Sequence, residues 1–376
     1  MDFNFSEEQN LLADSVTKFI TNDYSYEVRR KHSAMAEGFD RATWNQFAEL
    51  GWLAVPFAEE DGGIGGGPVE TMIVMEAFGK GLVVEPYVPT VLLAGTALRI
   101  AGDSDQKAQY VSGIIEGSQL MSLAYLEPQS RFDLFDVKTT ASKNAQGDYV
   151  INGAKAMVLH GGSANTLVVS VRTGGEQRDQ SGISLLLVPT DAKGVAIRSY
   201  PTLDGHQAAE VSFDNVTVPA SALLGSEGDG LAVLNQVADE AMLGLCAEAV
   251  GMMEKLYKET VEYAKTRKQF GVPISVFQAL QHRMVDMFTL HAECKSLLLR
   301  AVMTYSAGEA DAGRNIAALK YAIATKGQKV AHEAVQLFGG MGMTDEMSVG
   351  MYLKRINVIN TLFGNGDYHL QRFIAA

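Results

Sequence analysis

A carboxylate on an apolar helix face, an arginine at a glycine turn and two lone cysteines are the residues whose types and spacing could do chemistry. Glu240 has Val233, Val237 and Leu243 near its side of a helical pattern, with Gly244 opening space one turn on. A carboxylate so placed could take a proton in a dry pocket, because burial strengthens it as a base. The alternative is a carboxylate that faces solvent or pairs with a cation. Arg267 opens the run Arg267-Lys268-Gln269-Phe270-Gly271, where a cation and turn N–H groups suit a phosphate and Phe270 forms an apolar wall. Its alternative is a solvated loop joining two helices. Cys246 and Cys294 have neither metal-ligand spacing nor a redox partner, and each falls in an apolar helical pattern, which makes them core thiols. No metal site is expected. The cluster Gly62 to Gly67 has no Lys-Ser or Lys-Thr after it and no strong strand before it, so it reads as a surface loop rather than a phosphate loop.

The elements that must position these residues follow from changes of hydrophobic period. Ser6-Glu7-Glu8-Gln9 is a capping-box pattern, and Leu12, Val16, Phe19 and Ile20 follow at helical spacing. Helical periodicity returns over Arg41–Leu53 and Val69–Phe78 and continues more weakly towards Ile115. Near Leu120 it gives way to short β-type runs at Asp148–Asn152, Asn165–Val171, Gly182–Val188 and Glu210–Val218, separated by Gly, Asn and Pro turns. After Gly225 it is helical again, with long segments over Leu231–Lys265, Val276–Ser306 and Ala312–Phe338 that predict an antiparallel bundle. The expected fold is α+β and mostly α: an N-terminal helical domain over 1–118, a small central β domain over 119–226 and a C-terminal helix bundle over 227–376. This order excludes a dinucleotide fold built from alternating strands and helices.

Composition narrows the function classes. With 376 residues and 47% hydrophobic content the chain suits two or three packed units, at about 150 residues each. Its 31 Lys and Arg against 44 Asp and Glu give a net charge of −13, which argues against a nucleic-acid partner. Met1 to Ser6 carry no basic stretch before an apolar run, and no run of about 18 apolar residues occurs. A cytoplasmic protein with no membrane span is expected.

Several ordered segments resemble the acyl-CoA dehydrogenase family over essentially the whole length. They are Glu59-Glu60-Asp61-Gly62-Gly63, then Glu127-Pro128 with Asp133, then Asn152-Gly153-Ala154-Lys155. Arg267-Lys268-Gln269-Phe270-Gly271-Val272-Pro273-Ile274 with Gln278, and Gln336-Leu337-Phe338-Gly339-Gly340-Met341-Gly342, complete the set. The phrasing is most similar to the pimeloyl-CoA dehydrogenase small-subunit branch, which includes partners in two-subunit enzymes.

The resemblance implies FAD, an acyl-CoA substrate, α,β-dehydrogenation to the trans-2-enoyl thioester, and electron transfer to an electron-transfer flavoprotein. It places the catalytic base on the helix at Glu240; the family's other base location, in the loop before the last helix, falls on Asn365, whose amide cannot act as a base. Arg267, Phe270, Gln278, Gln336, Gly339 and Gly340 are implied to reach the flavin of a neighbouring subunit, so a homo-oligomer or a heterotetramer with a second dehydrogenase subunit is expected. On the home side, Leu126, Met157 and Leu159 face the flavin and Phe132, Gly244 and Asn365 face the substrate. The family's usual hydroxyl donors are replaced by Leu126, Phe132 and Leu159, Met157 stands where an aromatic ring is usual, and His160 replaces an asparagine. Ala241 stands where an arginine usually follows the base. A half-site or non-catalytic subunit of a heteromeric enzyme is therefore the second hypothesis, and a flavin oxidase or monooxygenase on the same fold is the third.

Overall fold

The structure, a computed structural model, describes residues 5–375, so residues 1–4 of the stretch Met1–Ser6 lie outside the described residues. The chain opens with α1 (Glu7–Asn22), α2 (Tyr26–Ser33), α3 (Arg41–Glu49), α4 (Pro68–Gly81), α5 (Thr96–Ala101), α6 (Ser104–Gln106) and α7 (Ser112–Ile115). Strands follow: β1 (Met121–Ala124), β2 (Thr140–Lys143), β3 (Tyr149–Leu159), β4 (Thr166–Arg172), β5 (Ile183–Pro189), β6 (Val195–Pro201), β7 (Gln207–Val218) and β8 (Leu223–Leu224). Then come α8 (Gly230–Thr266), a hairpin of β9 (Lys268–Gln269) and β10 (Val272–Pro273), and α9 (Gln278–Ser306). The last helices are α10 (Ala312–Ala322), α11 (Gln328–Phe338), α12 (Val349–Thr361) and α13 (Gly366–Ala375). The order helix, β, helix and the mostly helical content are those the periodicity predicts.

Contacts divide the chain into two compact units. The first comprises Met1–Lys31, Gly67–Val83 and Met242–Ala376; the second comprises His32–Gly66 and Val84–Ala241. In the first, α1 begins as its sequence dictates: Ser6 Oγ accepts from the Gln9 N–H at 3.2 Å, and the Gln9 side chain accepts from the Ser6 N–H at 2.9 Å. Helix α1 packs on α4, and α4 on α9; α10 packs on α9 and α13, and α11 on α12. Helices α4 and α8 touch backbone to backbone. A Cβ added at Gly79 would lie 2.0 Å from the Glu248 carbonyl oxygen, and one at Gly251 would lie 1.9 Å from that of Glu76. Both cysteines are buried and free, and burial pushes each thiol up to about 12, as core thiols require.

The second unit is built on one sheet in the order β6-β7-β3-β2-β4-β5-β8, with β1 added parallel to β4. Every residue of β4 is buried, which explains why Leu167, Val168, Val169 and Val171 show no strict alternation. A fully buried π-helical segment, Val88–Gly95, packs on β1. One expectation differs from the structure, and two strands had no counterpart in the periodicity. The helix expected over Arg41–Leu53 stops at Glu49, because Gly51 adopts φ +76° and the chain resumes as a 3₁₀ turn at Trp52–Ala54. Strands β2 and β6 carry too few buried side chains to show a period. The segment Gly62–Gly67 is a surface loop, as expected, with Gly62, Ile64 and Gly65 exposed, although a Cβ at Gly63 would meet the Phe57 carbonyl at 2.0 Å.

Candidate active site

Glu240 lies on α8 in the second unit, with Val237 buried one turn before it. Its carboxylate is engaged: Arg99, on α5, donates from Nη2 to Glu240 Oε2 at 2.5 Å. The pair is mostly shielded, with 17% of the Glu240 side chain and 28% of the Arg99 side chain exposed. A cation partner, the alternative left open for Glu240, is therefore present. Such a contact fixes the carboxylate's orientation. Arg99 was not singled out in the sequence.

The same unit brings the home-side residues together on two segments. Leu126 and Phe132 lie on the loop between β1 and β2; Met157 and Leu159 lie at the end of β3, and all four are partly buried. The Leu126 carbonyl accepts from the Ala156 N–H at 2.8 Å, which seats the loop on the strand. There β3 has a β-bulge: its register against β7 shifts between Lys155 and Val158, and Met157 takes φ +51°. Leu159 offers its carbonyl to Ser122 Oγ at 2.5 Å. These side chains present apolar surface and no hydrogen-bond donor. The loop also holds a buried ion pair that the sequence reading passed over, Glu127 with Lys155, at 2.7 Å.

In the first unit, Arg267, Phe270, Gln278, Gln336, Gly339 and Gly340 are all exposed. Two aromatic contacts gather them. Tyr263, whose carbonyl accepts from the Arg267 N–H at 2.8 Å, stacks on Phe338 with ring centroids 4.2 Å apart, joining the end of α8 to the Gly339 turn. Phe270 meets Phe277 edge to face at 6.1 Å, and Gln278 follows directly. Phe270 and Gly271 have φ +54° and +83° between the paired residues Gln269 and Val272, so they form a two-residue turn of type I′. Phe270 is 92% exposed, so beyond its edge contact with Phe277 its ring lies open to solvent. Gly339 takes φ +62°, and a Cβ added at either Gly339 or Gly340 would meet nothing within 4 Å. The result is an exposed arginine one turn after Tyr263 and open, glycine-lined backbone directly after Phe338, the ring that Tyr263 stacks on.

Asn365, also in the first unit, serves the backbone. Its Oδ1 accepts from the Tyr368 N–H at 3.0 Å, capping α13. The preceding loop is pinned by buried Lys320, which donates to the Ile359 carbonyl at 2.6 Å and the Gly364 carbonyl at 3.2 Å. Burial pushes this ammonium down to about 8. Gly244 is buried on α8. Among the described residues, no cluster of three or more His, Cys, Asp or Glu could hold a metal, and no helix is long and apolar enough to cross a membrane.

Three family models match the chain in order: acyl-CoA dehydrogenase N-terminal domain over residues 6–118, middle domain over 122–216 and C-terminal domain over 228–376. The chain is 29% identical over 381 residues to the probable acyl-CoA dehydrogenase YngJ of Bacillus subtilis, covering 100% of this chain and 99% of that protein. A solved structure described as the electron transferring flavoprotein of Acidaminococcus fermentans superposes with a TM-score of 0.92 at 28% identity, covering 100% and 98%. The FAD complex of PigA superposes with a TM-score of 0.92 at 25% identity, covering 100% and 98%.

Proposed function

The chain belongs to the acyl-CoA dehydrogenase family, and from that premise we propose that it oxidises an acyl-CoA thioester between Cα and Cβ with FAD. The residues suit that cofactor. Arg267 and the open backbone at Gly339 and Gly340 fit a pyrophosphate, and the apolar set Leu126, Met157 and Leu159 fits a flat ring system. The chemistry that FAD would supply when bound is acceptance of the hydride that leaves Cβ. Glu240 takes the Cα proton, and the two losses leave a trans double bond conjugated with the thioester. Electrons then pass to an electron-transfer flavoprotein, consistent with the A. fermentans neighbour. The exposure of Arg267, Phe270, Gln278 and Gln336 supports an oligomer in which they reach a neighbouring subunit's cofactor. The location is proposed as cytoplasmic.

The observation that carries the proposal is Glu240 on α8, oriented by Arg99, within a chain that matches the family throughout. Glu240→Gln keeps the shape and a hydrogen-bonding head, so it should abolish Cα proton exchange and turnover while retaining FAD. Full activity of that variant with a cognate thioester would refute the assignment.

One observation favours a second reading, a half-site subunit of a heteromeric dehydrogenase in the pimeloyl-CoA dehydrogenase small-subunit branch. The home side offers Leu126, Phe132 and Leu159 in place of hydroxyls, and Glu240 is already bound to Arg99. Purifying the chain alone and measuring bound flavin separates the two readings, since a half-site subunit emerges colourless and gains FAD only with its partner.

A further inference from the structure

The loop between β1 and β2 closes on a single carboxylate. Glu127 Oε2 accepts from the Lys138 N–H at 2.8 Å, and Oε1 accepts from the Thr139 N–H at 3.0 Å, so one residue near the start of the loop holds both amides at its end. The same Oε1 accepts from Lys155 Nζ on β3 at 2.7 Å, and Lys155 Nζ donates again to Ser170 Oγ on β4 at 2.9 Å. Further along the loop, Asp136 accepts from Gln129 at 3.3 Å and from Gln177 at 2.6 Å, and Arg172 on β4 donates to the Phe135 carbonyl at 2.8 Å. The Lys155 side chain is 0% exposed and that of Glu127 is 2% exposed. Enclosing two charges is a poor route to stability, because their desolvation offsets most of their attraction. A buried polar network does, however, select one arrangement, since any slip strands a charge or an amide.

What this arrangement fixes is the register of the loop on the β3 bulge. Lys155 immediately precedes Ala156, whose N–H bonds the Leu126 carbonyl, and Met157, whose positive φ makes the bulge. Leu126 and Phe132 on one side, and Met157 and Leu159 on the other, are therefore aligned by bonds that none of them makes with its own side chain. Apolar side chains hold a flat ring by shape alone, so their relative placement is all they contribute. We infer that Lys155, with Glu127 and Ser170, is a positioning device that presets the home side of the cofactor site before any cofactor arrives. The inference rests on the FAD reading above.

The test begins with the wild-type chain, prepared with any partner subunit it needs. Its FAD affinity is measured first; if no FAD binds in any preparation, the FAD reading itself fails. The amides of Lys138, Thr139 and Ala156 should exchange hydrogen as slowly in the apoprotein as those of the neighbouring sheet, and slow further on adding FAD by no more than about twofold. Amides that exchange freely until FAD binds would overturn the inference. Lys155→Met leaves Glu127 as an uncompensated buried charge and can prevent folding, so the decisive variant is Glu127→Gln with Lys155→Met, a neutral pair of similar shape. It should fold, weaken FAD binding at least tenfold, alter the absorption band shape of bound flavin and become sensitive to protease in the loop. A double variant with wild-type FAD affinity, flavin spectrum and protease resistance would reduce the network to core packing and overturn the inference.

Discussion

The residues assigned to the cofactor fall into two groups that are built in opposite ways. Leu126, Met157 and Leu159, in the second unit, sit on segments tied down by the Glu127–Lys155 pair, the Arg172–Phe135 bond and the bulge of β3. Arg267, Phe270, Gln278, Gln336, Gly339 and Gly340, in the first unit, are exposed, and their backbone includes two residues at positive φ with little around them. One group is ordered by its own chain; the other leaves its side chains to be ordered by whatever covers them. Ordering an exposed, rotamer-rich side chain costs about 0.5 to 1.5 kcal/mol, so the second group binds well only when several groups engage at once. A cofactor shared between subunits meets that condition.

The largest expected effect concerns the carboxylate of the ordered unit. Glu240→Gln should lower turnover by about 10²- to 10⁴-fold, the usual contribution of a positioned base, with flavin content unchanged. Loss of flavin in that variant would erase the distinction between a chemical and a structural role for this unit. Arg267→Ala should weaken FAD binding by about tenfold to over a hundredfold, the worth of a charge-assisted phosphate contact, and Arg267→Lys should do so in part. Because the cofactor would bridge subunits, sedimentation should show a looser assembly in the same preparation. A solvated loop arginine would instead change stability by no more than about 0.5 kcal/mol and leave flavin bound, which would end the comparison.

Two smaller effects sharpen it. Burial pushes Glu127 up, but the charge and hydrogen bond of Lys155, with bonds from Gln129 and Thr139, hold it down at about 2 against an ordinary 4.5. A carboxylate lowered on folding stabilises above its ordinary value and loses that stabilisation as pH falls towards its folded value. Unfolding measured from pH 5 to pH 2 should therefore be steeper in the wild type than in the neutral Glu127→Gln, Lys155→Met variant; equal slopes would show that the pair adds nothing. Asn365→Ala removes the α13 cap and should cost about 1 kcal/mol in denaturant melts, with activity little changed. Asn365→Glu should likewise give little gain in turnover, since the position is committed to a helix end.

What the sequence disclosed depended on how far apart partners lie. The capping box of Ser6 and Gln9 joins residues three apart, and the buried run of β4 is a property of consecutive residues, so both were legible. Strand β6 is an edge strand with half of its period in water, and β2 has a single buried residue, so neither left a pattern. The end of α3 was set by Gly51, a signal present in the sequence that the apolar residues after it outweighed. Arg99 lies 141 positions from Glu240 and sits in an otherwise helical run, so no spacing could join them. The burial of Lys155 left no such trace, because Asn152 to Ala154 before it are exposed and the bulge after it breaks the alternation.

The glycine contact between α4 and α8 limits how this sequence can drift. Gly79 faces the carbonyl of Glu248, and Gly251 faces that of Glu76, so each helix has one position where even a methyl group collides with the other's backbone. The neighbours have second tasks: the Glu248 carboxylate holds Arg355 through two bonds of 2.6 and 2.7 Å in the core, and Glu76 pairs with Lys295. Accommodating alanine at Gly79 would shift the segment of α8 that aims Glu248 at Arg355, and no single substitution nearby restores both the spacing and the bond. In a library of all single-codon changes, these two glycines should therefore stand empty among tolerant neighbours, and descendants of this chain can cross that point only by changing two helices together.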